Sequence, residues 1–132
     1  MTAKMVIQNY DHANNIVRRE ASMTLAAAAS GTARWMMFQK AKLHAIHLRN
    51  EVAGTTAGAA SGVTISVIGT ATTSVGQATF STGAAATTTT VEFSTTTINA
   101  RGGVLLTKGA DATMVVDAVI EYQVLPGALQ SP

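Results

Sequence analysis

Between Val52 and Val91 the chain carries no Asp, Glu, Lys, Arg or His, and Thr, Ala, Gly and Ser alternate there with Val and Ile. Such a stretch is either a low-complexity linker or a set of strands joined by small-residue turns. Val63-Thr64-Ile65-Ser66-Val67-Ile68 separates the two, because apolar and polar residues alternate with period two and β-branched side chains fit a pleated surface. The region is read as strands over Val63–Ile68, Val75–Phe80 and Thr89–Ile98, broken at Gly54–Gly62, Gly69–Ser74 and Gly83–Ala86. Long uncharged strand edges invite aggregation unless something covers them, and a partner protein is one natural cover.

The last third repeats the same period more cleanly. Met114, Val116, Ala118, Ile120, Tyr122 and Val124 fall on one face of a strand, with Val115, Asp117, Val119, Glu121 and Gln123 on the other. Val104–Thr107 is a short strand between turn-rich Ala100–Gly103 and Lys108–Asp111, in which Asp111 is read as a turn former. Pro126-Gly127 closes the sheet, since proline cannot donate to a ladder.

The first half is less uniform. Residues 34–52 fit a strand with a phase change, or a helix lined by Trp35, Met36, Phe38, Leu43 and Ile46. As a strand, Lys40, Lys42 and His44 alternate with Ala41, Leu43 and Ala45, after which Ile46 and Leu48 turn inward. A β-bulge at Ala45-Ile46 produces that flip and puts Lys40, Lys42, His44, His47 and Arg49 on one outer face. This basic stripe is suited to an acidic protein surface or phosphates, or is a solvated strand face. Glu20–Leu25 alternates as an opening strand, while Asn15 as N-cap and Gly31 as stop would make Ile16–Ala29 a helix. The strand is favoured. Residues 1–15 are expected to form an extended arm, 16–132 a single domain.

These segments together predict an all-β protein, an antiparallel β-sandwich of jelly-roll-like kind. Composition narrows the function. Charged residues are 12% of the 132, about half the usual ~25%. Aromatics are 5% and cysteine is absent, which excludes disulfides, thiolate nucleophiles, iron–sulfur clusters and cysteine zinc sites. The net charge of +2 conceals a polarity: the cations Lys4, Arg18, Arg19, Arg34, Lys40, Lys42 and Arg49 dominate the first part, and Glu92, Asp111, Asp117 and Glu121 the rest. The opening Met1–Asn9 meets polar residues before any long apolar run, so a cleaved secretory signal and a membrane partner are not expected.

No catalytic constellation emerges. Gly54-Thr55-Thr56-Ala57-Gly58 lacks the Gly-Lys-Ser/Thr of a phosphate loop, and Ser61 lacks a nucleophile-elbow spacing. His44 and His47 share a face only with the bulge, and are read as solvated histidines ahead of a metal pair. Asp117 and Glu121, four residues apart on one strand face, stand about 13 Å apart, too far for a glycosidase pair. Neither enzyme activity, a metal, a cofactor nor specific nucleic-acid binding is expected.

Three motifs carry a family resemblance: Ala53-Gly54-Thr55-Thr56 after a long early strand, Lys108-Gly109-Ala110-Asp111-Ala112-Thr113, and the closing Ile120-Glu121-Tyr122-Gln123-Val124-Leu125-Pro126-Gly127-Ala128. With the Thr/Gly/Ala-rich centre, the chain resembles the small β-sandwich decoration (cement) proteins of tailed-bacteriophage heads over roughly residues 16–128. The resemblance implies a structural virion subunit, made in the host cytoplasm. It would bind the outer capsid surface, often as a homotrimer, and hold adjacent major capsid proteins together. The capsid-contact candidates come from residue chemistry: Gln8, Asn9, Tyr10 and Asp11 of the arm, Arg18 and Arg19 after it, and the stripe of Lys40, Lys42, His44, His47 and Arg49. A tail-tube subunit, or a carbohydrate-binding module using an exposed Trp35, is the alternative.

Overall fold

A computed structural model describes residues 18–125. The predicted arm, with Gln8, Asn9, Tyr10 and Asp11, and the Pro126-Gly127 terminator lie outside the described residues. The described residues form nine strands, β1 Arg19–Leu25, β2 Thr32–Met36, β3 Ala41–Val52, β4 Gly62–Ile68, β5 Thr72–Thr79, β6 Thr88–Glu92, β7 Thr97–Ile98, β8 Gly103–Lys108 and β9 Val115–Val124, with one 3₁₀ turn at Gly58–Ser61.

The pairing is nested. β4 pairs with β5, β3 with β6, β2 with β8 and β1 with β9, all antiparallel. The chain is therefore one long ribbon folded back at the β4–β5 turn, where Gly69 N–H donates to Ala71 O at 3.0 Å. Rolling that ribbon lays β9 against β3 and β8 against β4. Two sheets result, β1-β9-β3-β6 with short β7 also on β3, and β2-β8-β4-β5. This is a jelly roll, and the predicted all-β antiparallel sandwich holds.

The period-two readings of residues 20–25, 63–68, 104–107 and 114–124 match the observed strands. Residues 19–25 form β1, paired with Val116–Tyr122, so the helical reading of this segment is overturned. The single strand read through 34–52 is two strands, because the chain crosses from one sheet to the other at 37–40, where Met37 N–H donates to Gly102 O at 2.8 Å. No Gly or Pro marks that crossing. The bulge exists but lies earlier than expected: Leu43 pairs with Tyr122 and Ala45 with Glu121, leaving His44 without an opposite residue on β9. The strand read over Thr89–Ile98 is likewise split into β6 and β7. At that break Phe93 N–H reaches His44 O at 2.8 Å, and Leu43 N–H reaches Thr96 O at 3.0 Å.

The core lies between the sheets. Leu43, Ile46, Leu48, Val116 and Ile120 from one meet Val63, Ile65, Val104 and Leu106 from the other, all essentially solvent-free. Each contributes about 1.5–3 kcal/mol by leaving water. Tyr122 and Val124, predicted inward, are half-buried at the sandwich end. Lys108, expected in a turn, ends β8 with its side chain inside, 1% exposed. Its ammonium donates to Ala26 O at 2.9 Å and Met114 O at 2.5 Å, tying two end loops together. Burial pushes its pKa below the usual lysine range, and the negative charge of Asp111 partly opposes that.

Candidate functional site

The two outer sheet faces differ in charge. On the β1-β9-β3-β6 face, Lys42, His44, His47 and Arg49 of β3 do stand together, with exposed Lys40 just before the strand. The bulge at His44 is what aligns them. Carboxylates and amides of β9 and neighbouring strands interleave with this stripe. His44 Nε2 lies 3.0 Å from Gln123 Oε1, and His47 Nδ1 lies 2.9 Å from Thr90 Oγ1. Glu121 is shared, with Oε2 3.3 Å from His47 Nε2 and Oε1 accepting from Arg18 at 2.5 Å. The Arg18 guanidinium, then the His47 contact, hold the Glu121 carboxyl below its ordinary pKa. Arg49 Nε donates to Glu51 at 2.9 Å. His47 and Arg49 of the stripe are thus compensated within the sheet, and among the described residues its cations without an ion pair are Lys40 and Lys42. Arg19 is exposed at the start of β1, opposite Tyr122.

The outer face of the β2-β8-β4-β5 sheet is nearly uncharged. Pairing places Arg34 beside Leu105, Met36 beside Gly103, Thr64 beside Thr107 and Gln77, and Ser66 beside Leu105 and Ser74. Among the described residues Arg34 is the one charged residue on this face. At the end where β2 stops, Met36 is 53% and Phe38 89% exposed. Met36, Met37, Phe38 and Arg101 line an apolar depression of about 200 Å³. Arg101 sits in the turn before β8 with φ 63°, a left-handed conformation.

The opposite end is built on Asp111. Its Oδ2 accepts the backbone N–H groups of Thr55 at 2.6 Å and Thr56 at 2.7 Å, and its Oδ1 those of Thr113 at 2.9 Å and Met114 at 3.2 Å. Ser61 Oγ donates to Thr56 O and lies 3.4 Å from the same carboxylate. The bonds from Thr56 and Thr113, with those of Thr55 and Met114, hold the Asp111 carboxyl far below the usual range despite its burial. The turn role expected of Asp111 is only its local half; the other half fastens the β3–β4 loop. Asn50 does the same for the β5–β6 loop, its Oδ1 accepting Thr87 N–H at 2.8 Å and its Nδ2 donating to Ala84 O at 2.6 Å.

Among the described residues no three His, Asp or Glu side chains gather as a metal site. Trp35 turns into the sandwich, its ring 4.5 Å from that of Tyr122 and tilted 54°. It does not present the exposed platform that the carbohydrate-binding alternative requires.

The fold has distant likenesses in solved structures. PirA is similar over 77% of this chain and 92% of its own, at 7% identity and a TM-score of 0.47. A protein of the disulfide-linked pili of Bacillus endospore appendages matches at 16% identity over 84% of this chain and 93% of its own, TM-score 0.29. The infectious bursal disease virus VP2 subviral particle matches at 12% identity over 89% of this chain and 44% of its own, TM-score 0.26. Likenesses this distant carry no argument about what this chain does. No family model matches the sequence, and no curated protein matches it.

Proposed function

We propose that this chain is a structural virion subunit, a decoration or cement protein that binds the outer surface of a tailed-phage head and bridges neighbouring major capsid proteins. The observation that carries the reading is the division of charge between the two sheet faces. One face holds nearly all the strand-borne ions, with Arg49–Glu51 and Arg18–Glu121–His47 paired on it, and the other holds Arg34 alone among the described residues. A face with one ion among Thr, Ser, Leu and Met can be covered by protein without stranding unpaired charge, which would be costly. The motif resemblance over residues 16–128 points the same way.

On this reading the protein is not an enzyme and uses no cofactor, and its partners are the major capsid protein and its own copies, as a homotrimer. Nucleic acid and membrane are not partners. Lys40 and Lys42 orient the approach to the capsid.

The test is co-sedimentation of untagged protein with heads of the encoding phage assembled without it, alongside light scattering of the protein alone. Saturable uptake at a fixed ratio, with heads that survive heating better, is the expected result. Absence of uptake sinks the proposal. Rings or tubes formed by the protein alone would replace it with a tail-tube role, and saturable glycan binding by a monomer with a carbohydrate-binding role.

A further inference from the structure

Arg34, Lys40, Lys42 and Arg101, none of them in an ion pair among the described residues, lie toward one pole. Lys40 lies in the β2–β3 crossing and Arg101 in the turn before β8. Arg34 shares the outer face of β2 with Met36, about 7 Å away along the strand. Lys42 follows in β3. Residues 32–42, 68–72 and 99–105 contain no Asp or Glu, nor does Tyr122–Val124 of β9, which pairs with Ala41–Leu43 there; Glu121 is the next residue along β9. At this pole is Phe38, 89% exposed, beside the depression lined by Met36, Met37 and Arg101.

We propose that this pole is a docking surface for an acidic protein segment, one that seats an apolar side chain against Phe38 and Met36 and places flanking Asp or Glu carboxylates on Lys40, Arg34 and Arg101. An exposed aromatic beside an arginine is the composition of an interface anchor, and the nearby cations select and orient an acidic partner. The depression, at about 200 Å³, is below the ~300–1,000 Å³ of small-molecule pockets and suits a side chain. The same pole of a second copy would set cation against cation. A nucleic-acid strand would call for several stacking aromatics along a basic track, and Phe38 is the one aromatic exposed here. The inference deepens the assembly reading above and rests on it for the partner being a protein.

The test uses the full chain, labelled with ¹⁵N, and two short synthetic peptides. One carries a Leu-Phe centre flanked by Asp and Glu, and the other has Lys at each acidic position. The acidic peptide is expected to shift the amides of residues 34–40 and 99–103 saturably and with strong salt dependence, and the basic peptide to leave them in place. Phe38→Ser and Arg101→Asn should each weaken binding about tenfold. Phe38 is solvent-exposed and Asn tolerates a left-handed φ, so both variants keep the core amide spectrum of the wild type. Equal response to both peptides, shifts centred elsewhere, stronger binding to a DNA duplex, or an unaltered Phe38→Ser would overturn the proposal. Heads that take up Phe38→Ser as well as wild type remove the pole and leave the assembly role. Peptide binding as described, with no uptake by heads, does the reverse.

Discussion

The carboxylate of Asp111 accepts the backbone N–H of Thr55 at 2.6 Å across a separation of 56 residues, joining the β8–β9 turn to the β3–β4 loop. With its four backbone donors it acts as the clasp of one end of the sandwich. Because its pKa is depressed on folding, its contribution is complete above the unfolded value of about 3.9 and is lost as pH falls through the lower folded value. Asp111→Asn removes the charge and turns a donor toward donors. Its melting temperature should be lower at pH 7, and the gap to wild type should narrow between pH 4 and pH 2. Parallel melting curves against pH in the two proteins would show that Asp111 is not the acid-sensitive clasp.

Gly54 owes its identity to the same clasp. A Cβ there would collide with Ser61 Oγ and come within 2.9 Å of Asp111 Oδ2. Gly54→Ala should therefore destabilise by about 1–3 kcal/mol, the range of overpacking, although Gly→Ala at a loop position with room for the methyl normally stabilises slightly. Chemical denaturation resolves the difference, and a change under about 0.5 kcal/mol would mean that the loop shifts freely to make room.

Trp35 and Tyr122 close the other end from opposite sheets, with ring centroids 4.5 Å apart. Trp35→Ala removes a large half-buried ring and an aromatic pair, and should cost about 2–4 kcal/mol in denaturant unfolding. A carbohydrate platform would behave otherwise, losing glycan binding with stability intact.

What was legible in the sequence was whatever alternation encodes. Met114, Val116, Ala118 and Ile120 are buried as their period requires, and the phase change in β3 correctly put Lys42, His44, His47 and Arg49 on one face. Topology and long-range polar contacts were not legible. The crossing at 37–40 has no Gly or Pro to announce it, since Met37 is held by Gly102 from the turn before β8. The inward path of Lys108 depends on the carbonyls of Ala26 and Met114, the first lying 82 residues away. The compensation of the stripe by Glu121 depends on β9 pairing with β3. A single chain read by local period contains no record of such pairings. Local period alone fits Phe38 to a helix or a strand, and the crossing of the chain there is what exposes it.

The pattern of compensation separates cations that local periodicity places on one stripe. Arg49 lies 2.9 Å from Glu51 and His47 3.3 Å from Glu121, whereas Lys40 and Lys42 have no carboxylate within ion-pair distance among the described residues. A capsid contact that uses the stripe must therefore use its Lys40 end. Lys40→Glu with Lys42→Glu should weaken attachment to heads about tenfold at low salt and flatten its salt dependence, because two attractive charges become repulsive. Arg49→Glu, which merely exchanges a paired cation on the sheet face, should leave attachment within about twofold of wild type. Co-sedimentation across a salt series measures both. If Arg49→Glu is the more damaging, the contact lies on the sheet face, and the neutralisation by Glu51 and Glu121 is broken on binding.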